Sequence, residues 1–235
     1  MVTTVELTDF YTRCMSCPNS NEDCPKIQKE HEKGYVPRGF LFKSRKIKIL
    51  AVGKNPGNLQ NDEAKSYLKK KDRTLFEAHQ ELMQNLFEKS VSSNKASERF
   101  HRNLSEYLAF FLDVAKDEIF TQAAFTNLVK CSSVNEQENL RNLRKAANAC
   151  FERFFLKELD LFKPKVVLAL GGEVYDFLKK QEDELKVHCA CLIGIRHPSW
   201  PYKKERENDI LSKVKEHIEH CILVPDSFYS YGRFS

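Results

Sequence analysis

Two short segments carry residue types suited to hydrolysis. The first is "GKNPG" (53–57). Gly53 and Gly57 permit tight turns and close approach of a ligand, and Pro56 stiffens the loop. Asn55 offers a donor and an acceptor without negative charge. The second is "HPSW" (197–200), where His197 is followed by a rigid proline, Ser199 and the bulky Trp200. Taken singly, Asn-Pro-Gly is common turn punctuation, and a lone histidine is most often an ordinary core or surface residue. On facing loops, the amide could position a water and the imidazole could polarise a leaving group. Trp200, Pro201 and Tyr202, followed by Lys203 and Lys204, have the make-up of an apolar wedge with phosphate partners. The bland reading of that stretch is a packed turn with a solvated end.

Strand-like apolar runs precede these segments. Residues 47–52 lead into "GKNPG", 123–130 into "CSSVN", 165–171 into "GGEVY", and 187–195 into "RHPSW". Helical stripes separate them. Leu75, Leu82, Met83, Leu86 and Phe87 share one face, as do Phe100, Leu104, Leu108, Phe111 and Leu112. A long helical pattern over 140–162 is stopped by Pro164, and 204–220 reads as a charged amphipathic helix. The tail "SFYSYGRFS" is expected to be held only by packing. Alternating strands and helices predict a three-layer α/β/α domain over 1–235 with a central four-stranded, mostly parallel sheet. Such sheets place ligands beyond the carboxyl ends of the strands. The four polar segments would then meet on one rim.

Composition sets looser bounds. With 235 residues, 41% of them hydrophobic, the chain suits one compact domain. A net charge of +5 permits nucleic-acid binding without requiring it. No run reaches the roughly 20 apolar residues of a membrane span. The N-terminus "MVTTVELTDF" lacks the apolar core of a signal peptide, so a cytoplasmic location is expected. There, eight cysteines are expected to be thiols or metal ligands rather than disulfides. Cys189, Cys191 and Cys221 fit ordinary buried cysteines.

Together "GKNPG", "HPS" and "FTNLVKC" (125–131) resemble, in order, the signature segments of the uracil-DNA glycosylase superfamily. The third is similar to the segment "TNVVKC" of its iron–sulfur branch, family 4. In that branch two N-terminal cysteines pair with the cysteine of this segment and one further on. The resemblance thus implies Cys14, Cys17, Cys131 and Cys150 as ligands of a 4Fe–4S cluster, with zinc the alternative for four thiolates. Cys24 lies close enough in sequence to replace Cys14 or Cys17. The segment "LFKPKVVLALGGEVYDFL" also resembles the branch, and the likeness runs from about residue 10 to about residue 200.

The chain departs from that branch at three places. "GEAPG" is usual at the first motif, whereas G-x-N-P-G is similar to the mismatch-specific and single-strand-selective branches, where this asparagine positions the attacking water. "CRPP" is "CSSV" here. The "PFVG" segment, which supplies a stacking aromatic, is not evident; Tyr67 and Phe76 are the candidates, Tyr67 preferred.

The resemblance implies a monofunctional DNA glycosylase, monomeric, acting on uracil or another deaminated base in DNA. Asn55 and His197 would be catalytic, His197 donating to uracil O2. Asn127 would read the flipped base. Gly53, Lys54, Pro56, Gly57, Ser199 and Tyr67 would line the site, with Trp200 and Tyr202 as the wedge. Lys54 raises the possibility of an amine nucleophile; a phosphate contact is the plainer reading. The other reading of the whole chain is a catalytically weak DNA- or nucleotide-binding member of the same fold.

Overall fold

The computed structural model describes residues 9–10, 17, 24, 40–44, 46–56, 75–91, 95, 98–133, 138–189, 191–200, 202–224 and 228–234. Of the expected site residues, Cys14, Gly57 and Tyr67 lie outside this set, as does Pro201. Residues 9 and 10 are helical.

Four strands form the centre: β2 (Ile49–Gly53), β3 (Ala123–Asn127), β4 (Val166–Leu170) and β5 (Cys191–Ile195). All four are buried along their whole length and pair in parallel. Continuous apolar runs such as "VVLAL" are what burial on both faces requires. The sheet has six strands rather than four, in the order β1-β3-β2-β4-β5-β6. The added edges are β1 (Leu41–Phe42), antiparallel to β3, and β6 (Tyr229–Phe234), parallel to β5. The tail is therefore a paired strand, which corrects the expectation of packing alone. β5 starts at Cys191, because Leu185 already accepts the turn bonds of His188 and Cys189.

Helices cover both faces. On one side lie α1 (Leu75–Val91), α2 (Arg99–Leu112) and α8 (Lys204–Leu223). Their Met83, Phe87, Leu104, Leu108, Leu211 and Val214 pack with Ile49, Ala51, Phe125 and Leu168. The short α3 (Ile119–Gln122) leads into β3. On the other side α4 (Arg144–Cys150) runs through a π-helical stretch (Phe151–Phe155) into α5 (Leu156–Phe162). That helix ends at Lys163, whose positive φ of 45° and bond to the Leu159 carbonyl close the last turn before Pro164. With α6 (Gly172–Lys179) it buries Leu50, Val52, Val167 and Ala169. Successive strand residues thus alternate between two cores, as the period of two demands.

Cys191 of β5 and Cys221 of α8 are joined by a disulfide, their α-carbons 6.0 Å apart. The expectation of thiols throughout is corrected there, because strand and helix bring the two α-carbons within bridging range. No helix among the described residues is long and apolar enough to cross a membrane.

Candidate active site

β2 is flanked by β3 on one side and β4 on the other, so the connections leave it in opposite directions. A crevice opens at such a switch point, beyond the carboxyl ends of the strands. The loop after β2 is tied to the loop after β3 by two backbone bonds. Leu128 N–H donates to the Gly53 carbonyl at 2.8 Å, and Val129 N–H to the Lys54 carbonyl at 2.9 Å.

Gly53 and Asn127 are register partners at the strand ends. Asn127 is buried, and its Oδ1 lies where a side chain on Gly53 would begin. Only glycine lets that amide sit beside β2. The Phe125 ring lies 3.4 Å from the same point. Pro56 is buried at the loop's far end.

Asn55 Nδ2 donates to the Pro56 carbonyl at 3.1 Å and to Ser133 Oγ at 3.3 Å. A carbonyl only accepts, so this contact fixes which side of the amide carries nitrogen. Oδ1 is left on the other side, without a partner among the described residues.

His197 is half-buried at the end of β5. The Ser199 backbone N–H points at its Nδ1 at 3.3 Å, so Nδ1 is the acceptor and the proton of the neutral ring sits on Nε2. Burial first, then the charge of Lys54, lowers its pKa from 6.5 to about 4. The imidazole is therefore neutral at pH 7, with Nε2–H as a donor. Gly171 lies beside it at φ 97°, a backbone conformation that favours glycine.

Lys54 is committed elsewhere. Its Nζ donates to the Glu138 carbonyl at 2.7 Å and lies 3.4 Å from Glu173 Oε2 at the start of α6. Glu173 also accepts from Leu140 N–H. The ammonium pins three loops together.

Trp200 is 69% exposed at the tip of the turn, as a wedge requires, whereas Tyr202 is 5% exposed. The Tyr202 hydroxyl accepts from Arg196 N–H at 2.9 Å and donates to the Phe234 carbonyl at 2.6 Å. With its ring buried and its hydroxyl bonded on both sides, Tyr202 braces the turn from beneath, unlike the exposed Trp200.

Beneath Asn127 lies a group that sequence reasoning missed. Lys130 Nζ donates to Glu158 Oε2 (2.6 Å), Thr126 Oγ1 (2.9 Å) and the Asn127 carbonyl (2.7 Å). Thr126 in turn donates to Glu158 Oε1 at 2.8 Å. Lys130 and Glu158 are both buried. The available signal was Glu158 itself, a carboxylate set in the apolar stripe of Phe151, Phe154, Phe155, Leu159 and Phe162.

Of the expected metal ligands, Cys17 and Cys150 are buried in one core, and Cys131 is half-buried. Burial raises the Cys150 pKa, while the Lys130 backbone hydrogen bond and charge oppose this and the nearby Cys17 adds to it. Cys17 and Lys130 thus lie near Cys150. Cys24 packs at the edge of the same core. The thiol chemistry suits a soft metal or an iron–sulfur cluster. Among the described residues, no three histidine, cysteine or acidic side chains lie close enough together to hold a metal.

A model of the Uracil DNA glycosylase superfamily matches residues 41–221. The match spans every strand of the sheet except β6 and includes both candidate catalytic loops. No curated protein matches the chain at a significant level.

Proposed function

Because the chain belongs to the uracil-DNA glycosylase superfamily, we propose that it removes uracil or another deaminated base from DNA by hydrolysing the N-glycosidic bond. The observation that carries this reading is that Asn55, its amide nitrogen held by Ser133, and a neutral His197 both follow strands of one parallel sheet, with Lys54 of the first loop close enough to act on the His197 ring.

A base inside a duplex is out of reach, so the nucleotide must flip out, at a cost of a few kcal/mol that is smallest for mismatched pairs. Trp200, exposed at the turn beside Lys203 and Lys204, fills the gap and offsets part of that cost. In the pocket, Asn127 accepts from uracil N3–H and donates to O4. Cytosine presents the opposite pattern, and a mispaired buried amide costs about 1–3 kcal/mol. Asn55 Oδ1 accepts a hydrogen bond from a water aimed at C1′. As the C1′–N1 bond breaks, its electron pair moves onto the base and charge gathers on O2, where His197 Nε2–H donates. The water oxygen bonds to C1′ and its proton passes to solvent. An amide is a poor base, so rate comes from positioning and electrostatics, and turnover is modest. Burial, helped by the Lys54 charge, keeps the His197 ring neutral, and an ammonium held by Glu138 and Glu173 supports a monofunctional enzyme over an amine nucleophile.

Cys14, Cys17, Cys131 and Cys150 would hold a 4Fe–4S cluster. Its role is structural, joining the N-terminal segment to the loop after β3 and to α4, with no redox step. Iron and acid-labile sulfide in the purified protein, with absorbance near 400 nm, is the expected result. Zinc without sulfide would replace the cluster with the alternative metal.

The function is tested by incubating the protein with single-stranded and mismatched oligonucleotides carrying uracil, hypoxanthine or xanthine. Free base and an alkali-labile strand are expected for at least one. DNA binding without release from any would favour the catalytically weak reading.

A further inference from the structure

The turn that carries His197 is gripped from the side by α2. Phe100 lies against the His197 ring, centroids 5.3 Å apart and planes 32° from parallel. One turn on, Asn103 Nδ2 donates to the Pro198 carbonyl at 2.7 Å in a buried contact. One turn further, the Tyr107 ring meets the Tyr202 ring, and its hydroxyl donates to Glu207 Oε1 at 3.0 Å. Positions 100, 103 and 107 form a single stripe on a helix. They meet the chain in order at 197, 198, 202 and 207. Phe100 is anchored behind by Phe125, whose ring borders Gly53. Nothing in this stripe belongs to the signature loops.

We infer that the Phe100–Asn103–Tyr107 stripe of α2 is the positioning device of the His197 loop. It rests on the reading of His197 as the donor to the departing base. Phe100 covers the face of the imidazole, excludes water from it and fixes its plane. Asn103 fixes the turn by its carbonyl, and Tyr107 fixes the start of α8. These are positioning residues, since they act through His197. Lys54 of the β2 loop acts on that ring and is itself paired with Glu173 of α6. Glu98 and His101 at the start of α2 act on each other.

The test is an NMR titration of the His197 ring in the full chain, with kcat and KM for release of uracil. Phe100→Ala is expected to raise the His197 midpoint by about one unit or more toward the ordinary 6.5. Phe100→Leu keeps an apolar cover and should leave it low, which separates cover from mere folding. Asn103→Leu is expected to lower kcat roughly 10- to 100-fold with KM little changed. A His197 midpoint that is the same in Phe100→Ala as in the parent would overturn the inference, whatever the activity. A parent that releases no base while its His197 midpoint still moves in Phe100→Ala would instead count against the proposed reaction and leave the packing role standing.

Discussion

Two histidines are kept neutral by burial at or beside the site. His101, ringed by Phe87 and Phe100, has its pKa lowered to about 4 by desolvation, opposed by Glu98. His197 falls to about 4 as well. The unfolded chain binds these protons near pH 6.5, the folded one only near pH 4. Stability is therefore full above about 6.5 and declines as pH falls toward 4, by up to about 1.4 kcal/mol per unit for each group. Urea midpoints between pH 7.5 and 4.5 should show that decline, and His101→Phe should reduce its slope. At this scale the sequence offers candidates where a residue type names its own chemistry, as with Asn55 and His197. It was unreadable where a partner decides the role. The partners that hold the Lys54 ammonium, Glu138 and Glu173, are both distant in sequence. Tyr202 looked like Trp200, and only burial separates them.

Elements turn those residues into a site. The central strands were legible because burial on both faces demands uninterrupted apolar runs. The edges were not. β1 is two residues long, too short to show a period. β6 carries Gly232 within a run of alternating aromatics, a weakened strand signal. The stripe of α2 was read for its leucines and phenylalanines, and Asn103 among them went unnoticed because its partner lies 95 residues away. The joint between β3 and α5 is the buried Lys130–Glu158 pair, with Thr126 and the Asn127 carbonyl completing it. Lys130→Met would leave a buried carboxylate unpaired and should lower unfolding free energy by about 3–5 kcal/mol. Lys130→Met with Glu158→Leu should recover much of that loss, and chemical denaturation of the set measures both. Asn127 ends the strand that this pair anchors, so the single change should also weaken discrimination between uracil and cytosine.

At the scale of the molecule, one sheet between two helical layers gathers the loops after four parallel strands on one rim. The signature loops thus reach one site from positions nearly 150 residues apart. The fold class followed from alternation of strands and helices, and the family match over residues 41–221 agrees with it. The disulfide between β5 and α8 was not foreseen, because sequence spacing does not report which α-carbons meet. The central claim is that Asn55 and His197 together break the bond between a deaminated base and its sugar. Single-turnover release of uracil from a mismatched oligonucleotide tests it most directly, comparing the parent with Asn55→Ala and His197→Ala. The parent is expected to release the base and each variant to be slower by roughly 100-fold or more, while DNA binding persists. Parent-like rates in both variants would contradict it.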